Sequence, residues 1–151
     1  MTDIVSPAVR SRMMSAIKSR NTKPELAIRK RLFARGLRYS LHSSLLPGKP
    51  DLVFRRYKAV ILVHGCFWHG HDCHLFKWPK SNNAFWKAKI ERNRFVDSRT
   101  VGELEAGGWR VMTVWECAVR GTSDRTLDTL SDKLNRWIRG RETSGVITGR
   151  V

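Results

Sequence analysis

Three observations predict a three-layer α/β/α domain with a central mixed sheet. Helical repeats stand before, between and after a few short apolar runs, an order that gives helices on both faces of a sheet. The run Ala59–Val63 is apolar on both faces, as a central strand covered from both sides must be. The segments Asp51–Arg55 and Lys58–His64 are joined only through Arg56-Tyr57, too briefly for anything but a hairpin, so part of the sheet is antiparallel. With 151 residues, the chain reads as one domain over 1–151, large enough for a hydrophobic core.

Taken in order, Ser6-Pro7 marks a helix start, with Val9, Met13, Met14 and Ile17 at helical spacing among Arg10, Arg12, Lys18 and Arg20. This basic stretch, residues 1–20, is either a surface helix or an arm that reaches DNA. In the second case Met13 or Met14 is available as an apolar wedge between base steps. Thr22-Lys-Pro-Glu25 opens the next helix, expected to run to about Arg35 and stop at Gly36. Glu25 suits a capping box with Thr22. It also shares a helical face with Ile28 and Leu32, where a carboxylate needs a partner. Both roles stay open at this point.

Leu37–His42 alternates as a half-exposed strand, and Leu46–Pro50 is a turn. Residues 65–79 form a loop rich in His, Cys and aromatics. A long helix is expected over about Asn83–Ala106, ended by Gly107-Gly108, with an inward stripe of Trp86, Ile90, Asn93, Asp97, Val101 and Leu104. Asn93 and Asp97 are polar residues in the middle of that stripe. Trp109–Trp115 is another strand, and Asp124–Arg139 a last helix with Leu127, Leu130, Leu134, Trp137 and Ile138 facing the core. Residues 140–151 have few anchors and are expected to be a flexible tail.

The net charge of +16 comes from 29 Lys and Arg against 13 Asp and Glu. Such an excess favours a polyanion, nucleic acid above all, because each neutralised phosphate releases condensed counterions. No segment is apolar for long enough to span a membrane and no secretory signal opens the chain, so a cytoplasmic protein without membrane partners is expected. The chain has three cysteines, an odd number that suits metal better than a disulfide framework. Cys66, His71 and Cys73 in one loop, with the distant Cys117, supply a closed tetrahedral set, which is the pattern of a structural zinc site. His74 could stand in for His71. If Cys117 joins the loop, the strand before it must lie beside the strand ending at His64.

Asp51, His64 and His69 are then unassigned. Pro50-Asp51 at the start of a strand, followed by a short hairpin partner, resembles the metal-binding half of the PD-(D/E)xK nuclease core. The second half would fall at Val63-His64-Gly65 and lacks both the second acid and the Lys. Two histidines sit instead where a general base is needed, and imidazole titrates near neutral pH.

The stretches LPGKPDLVF, VHGCFWHGHDCHLFKWP, FWKAKIERNRFVD and GWRVMTVWECAVRG together resemble the very short patch repair (Vsr) DNA mismatch endonucleases, over about residues 6–139. The resemblance implies a restriction-endonuclease-like α/β/α sandwich. It implies magnesium-dependent nicking of one DNA strand, 5′ to the thymine of a T:G mismatch left by deamination of 5-methylcytosine. It implies work beside a cytosine-5 DNA methyltransferase in the bacterial nucleoid, with mismatch-repair proteins as further partners and a monomeric enzyme.

Carried onto this chain, Asp51 is the side-chain ligand of magnesium and Val63 its backbone-carbonyl ligand. Val63 replaces a family Thr, so a carbonyl role survives and a hydroxyl role does not. His69 is the general base and His64 an accessory histidine near the scissile phosphate. Asp97 and Glu25 hold metal-bound waters or orient His69, and Asn93 helps hold water or phosphate. Zinc falls to Cys66, His71, Cys73 and Cys117. The resemblance makes Phe67, Trp68 and Trp86 a wedge beside the mismatch, against a plainer reading as packing over the zinc. Lys77, Lys80, Lys87, Lys89, Arg92 and Arg94 would track phosphates, against a plainer reading as a solvated face. Two rivals remain: a non-enzymatic zinc-containing DNA-binding module, and another nickase or restriction endonuclease of the same superfamily.

Overall fold

The computed structural model describes residues 22–149. The basic arm over 1–20, Met14 included, lies outside them. Helix α1 spans Lys23–Ala34, strand β1 Ser40–Leu41, β2 Leu52–Phe54 and β3 Ala59–His64. Helix α2 spans Asn83–Ala106, β4 Arg110–Trp115, helix α3 Asp124–Arg139 and β5 Gly145–Ile147. Single turns of 3-10 helix occupy Arg55–Tyr57 and Glu116–Ala118. Among the described residues, no helix is long and apolar enough to cross a membrane.

The strands form one sheet in the order β1-β2-β3-β4-β5. The β1–β2 and β2–β3 pairs are antiparallel, whereas β3–β4 and β4–β5 are parallel. The pleat then sorts the side chains. Leu52, Phe54, Ala59, Ile61, Met112 and Val114 face one way, onto Ile28 and Leu32 of α1 and Leu127, Leu130, Leu134 and Ile138 of α3. Val53, Val60, Leu62 and Val111 face the other way, onto Leu104 of α2. The result is the mixed α/β/α sandwich of the restriction-endonuclease-like class. Strand β3 is central and almost wholly buried, as its two-sided apolar pattern requires. On the first face, α1 and α3 are tied by Arg31 to Asp124 and Asp128, and by Arg35 to Asp132.

Three expectations need correction. The strand expected over Leu37–His42 reduces to Ser40–Leu41, because Leu37 turns inward to the core and only two residues pair with β2. The β2–β3 hairpin turns through Arg55–Tyr57 and a left-handed Lys58 at φ 51°, not through two residues alone. The tail expected to be flexible from residue 140 contains β5. The cause is Arg110, whose guanidinium donates to the carbonyls of Trp137, Ile138, Glu142 and Tyr57. Trp137 Nε1 also donates to Thr143 O, and Val111 N to Ser144 Oγ. These bonds turn the chain after α3 back onto the sheet edge.

Candidate active site and metal centre

The site forms where β3 ends. Three clusters of donor side chains lie around that point, and in each the ligand atoms are within 4.8 Å of one another. The first is Glu25, His42 and Asp51, the second His64, His69 and Asp97, the third Cys66, His71, Cys73 and Cys117.

In the first cluster, Asp51 enters from the start of β2, and its Oδ2 accepts the Val63 N–H at 2.7 Å. Burial pushes its carboxyl up to about 7; the Val63 N–H works against this and neighbouring Glu25 adds to it. Glu25 is 1% exposed and comes from the first turn of α1. Thr22 accepts the Glu25 N–H at 3.4 Å, so the N-cap forms. The Glu25 carboxylate meanwhile turns inward to Arg29 at 2.8 Å and to His42 Nε2 at 2.9 Å. Glu25 therefore joins the cluster with His42 and Asp51 as well as opening the helix. Two buried carboxylates side by side repel, and a cation between them relieves both. Oxygen donors of this kind fit a hard divalent ion.

In the second cluster, His69 Nδ1 lies 2.5 Å from Asp97 Oδ2. An ionised carboxylate only accepts, so Nδ1 carries the proton and Nε2 is left as a basic lone pair. Asp97 reaches the loop from the middle of α2, as the polar break in its inward stripe predicts. The His64 ring stacks on His69 at 4.0 Å with 6° between planes. Burial, and then His69, push His64 down to about 4, so it is neutral near pH 7. Its Nδ1 is buried without a hydrogen-bond partner among the described residues.

In the third cluster, His71 Nδ1 lies 3.6 Å from both Cys66 Sγ and Cys117 Sγ, and its ring stacks on Trp115 at 4.1 Å. His74 is exposed and outside the set, so the choice between the two histidines falls on His71. Cys66 N donates to Glu116 Oε1. Burial pushes the Cys66 thiol up. Burial acts on Cys117 in the same sense, yet the Thr148 hydroxyl and the Gly149 N–H bring its thiol down. Three sulfurs and one imidazole with no open position can hold a metal ion. The parallel β3–β4 pair is what brings residue 117 to the loop at 66, as the shared ligand set requires.

The loop after Cys66 also carries two members of an aromatic group that continues onto α2. Ring centroids are 5.2 Å apart for Phe67–Trp68, 5.3 Å for Phe67–Trp86 and 5.8 Å for Trp68–Trp86. All three rings are half-buried. Phe76, Trp78 and Phe85 extend the group, the last two exposed. Asn93 Nδ2 donates to Trp68 O at 2.7 Å, which anchors the loop one residue before His69. Its amide nitrogen thus serves the loop. Lys89 is half-buried and Arg92 exposed on α2.

Sequence reasoning missed His42. Its signal was the hairpin register: Leu41 opposite Leu52 places His42 across from Asp51. Phe76, Trp78 and Phe85 were missed as part of the aromatic group, although FKW and FW are written in the loop and at the start of α2.

Comparison with known proteins gives a consistent picture. The pattern of the family described as DNA mismatch endonuclease Vsr matches residues 2–75. The chain is 42% identical to the DNA mismatch endonuclease Vsr of Escherichia coli (strain K12) over 147 residues, which is 97% of this chain and 94% of that protein. It is 49% identical to the type II nicking enzyme V.XorIIP of Xanthomonas oryzae pv. oryzae over 117 residues, 78% of this chain and 86% of that one. It is 42% identical to the type II nicking enzyme V.NmeAIP of Neisseria meningitidis over 139 residues, 92% of this chain and 96% of that one.

Proposed function

This chain belongs to the DNA mismatch endonuclease Vsr family and is a DNA endonuclease, and from that premise we propose that it nicks one strand of a duplex, 5′ to the thymine of a T:G mismatch. The mismatch is the product of 5-methylcytosine deamination. In the same proposal the enzyme acts as a monomer in the cytoplasm, on DNA modified by a cytosine-5 methyltransferase.

The observation that carries the reading is the His69–Asp97 pair at 2.5 Å beside the Asp51 cluster. With Nδ1–H held by Asp97, His69 Nε2 takes a proton from the attacking water, and Asp97 stabilises the imidazolium that forms. Neutral His64, stacked on His69, keeps that ring in plane and serves as the accessory histidine near the scissile phosphate. The Asp51 carboxylate and the Val63 carbonyl would hold a hard divalent ion, magnesium in this reading, and that ion would offset phosphate charge and lower the pKa of a bound water. Glu25 faces the same space and completes its acidic lining. Cys66, His71, Cys73 and Cys117 would hold zinc in a structural role and so fix the loop that carries His69.

Phe67, Trp68 and Trp86 stack beside the mismatched pair, which opens more easily than a Watson–Crick pair. Lys89 and Arg92 contact phosphate, as does the basic arm with Met14 as a second apolar wedge.

The test is a strand-labelled duplex carrying one T:G pair, compared with the same duplex carrying T:A, with and without magnesium at constant ionic strength. The expected result is a single cut 5′ to the mismatched thymine, only with magnesium. Equal cutting of both duplexes would leave a nickase without mismatch selectivity. Binding without cutting in any divalent ion would leave a DNA-binding module.

A further inference from the structure

His42 connects the two carboxylates of the first cluster, which arrive from different elements. Its backbone N–H donates to Asp51 O at 3.1 Å, continuing the β1–β2 ladder by one step. Its imidazole Nε2 lies 2.9 Å from both Glu25 Oε1 and Glu25 Oε2. A carboxylate accepts only, so Nε2 carries a proton shared between the two oxygens. A shared bond of that kind stops rotation of the carboxylate about its last side-chain torsion, which is otherwise broad. The two side chains are 12% and 1% exposed, so little water competes for the bond. His42 also has a φ of 46°, an unusual value for a residue other than glycine. The backbone is held in that conformation while the ring turns inward to Glu25, and strain of this kind concentrates at functional sites.

We propose that His42 is a positioning residue for the divalent-cation site: it holds the Glu25 carboxylate, and through its backbone Asp51, at the mutual spacing and rotation that the ion requires. The inference rests on the reading of Asp51 and Glu25 as the acidic residues of that site. It adds a residue that neither touches the reacting atoms nor carries a core role. Arg29, on the other side of Glu25, donates to Oε2 at 2.8 Å and adds positive charge beside the carboxylate.

The experiment compares the full-length parent with His42→Ala, His42→Gln and Glu25→Gln. The glutamine amide at 42 has an N–H donor at about the reach of Nε2, whereas alanine has none. Manganese binding to the complex with a non-cleavable T:G duplex is followed by electron paramagnetic resonance. The magnesium concentration giving half-maximal nicking is measured alongside, with a thermal melt of each variant.

Loss of an outer partner to a metal ligand costs ~10–100-fold in metal affinity or activity. His42→Ala is expected to weaken manganese binding and raise the half-activating magnesium concentration by about tenfold. His42→Gln recovers most of both. Parental values in His42→Ala, with Glu25→Gln impaired, would overturn the role of His42 alone. Parental values in both would overturn the reading of the cluster as the cation site. Equal loss in His42→Ala and His42→Gln, in step with the melting temperature, would make the role structural and overturn the proposal. If His42→Ala does not fold, His42→Asn, whose shorter amide stops short of Glu25, takes its place with the same criteria.

Discussion

At the scale of single residues, the proposed roles of His69 and Asp51 predict that catalysis and binding separate. His69 carries its proton on the Asp97 side, and Asp51 is pinned to the Val63 N–H. Replacing His69 by Ala is expected to lower the nicking rate by ~10²–10⁴-fold, and Asp51→Ala to abolish it. Affinity for a T:G duplex should be close to parental in both, checked by single-turnover rates beside gel-shift titrations. A His69→Ala variant that cuts at the parental rate would transfer the role to His64.

His64 gives a pH prediction at the same scale. Burial, and then His69, lower it from 6.5 to about 4. A depressed histidine stays neutral in the fold while the unfolded chain takes up a proton below 6.5. Its contribution to stability is therefore complete above that value and is lost as pH falls toward 4. Thermal melts of parent and His64→Gln from pH 8 to pH 5 should show the difference shifting in favour of the variant as pH falls. A constant difference across that range would mean that His64 titrates normally.

At the scale of elements, the loop after β3 and the strand β5 matter most. The aromatic pair Phe67-Trp68 packs mainly on Trp86 and Phe76, outside the three buried clusters. Stacking on a base is worth ~1–3 kcal/mol, whereas phosphate contacts are alike in matched and mismatched duplexes. Trp68→Ala is therefore expected to reduce the ratio of T:G to T:A nicking more than it reduces the melting temperature. An unchanged ratio with a lower melt would return Trp68 to packing.

Strand β5 runs beside β4 and delivers Thr148 and Gly149 to the cysteine cluster. Gly149 N donates to Cys117 Sγ at 3.3 Å, and Thr148 Oγ1 lies 3.4 Å from His71 Nε2. A methyl group at 149 would stand 2.2 Å from Cys117 O, so only glycine fits without a shift. Gly149→Ala is expected to speed loss of zinc to a chelator by about tenfold, with faster amide exchange at Ile147 and Thr148. Unchanged zinc release would mean that the strand end lies against the site without supporting it.

At the scale of the whole molecule, the charge of +16 governs how the duplex is met. Each neutralised phosphate contributes about 0.9 to the slope of log affinity against log salt. Affinity for matched and mismatched duplexes should thus fall steeply and in parallel with added salt. The selectivity ratio, if stacking sets it as proposed, should stay nearly constant. A ratio that collapses with salt would assign selectivity to charge instead.

Much of the fold and the site was written in local pattern. Helices Asn83–Ala106 and Asp124–Arg139 are legible because an apolar stripe and a stop signal lie within each segment. Strand β3 declares its central place because a strand covered on both faces must be apolar at every position. The metal set Cys66, Cys73 and Cys117 is legible because thiols are scarce and each needs an explanation, and Asp97 because a carboxylate breaks an otherwise inward stripe.

What tertiary structure alone decided are the relations between segments. His42 joins Glu25 to Asp51 only after the β1–β2 register is set, and nothing within its own neighbours in sequence encodes that bond. The stretch 140–149 is polar and weakly patterned. It becomes a strand because Arg110, Trp137 and Val111 supply its hydrogen bonds from other elements. Periodicity reports how one segment meets water or core; the pairing of two distant polar groups leaves no periodic trace in either segment.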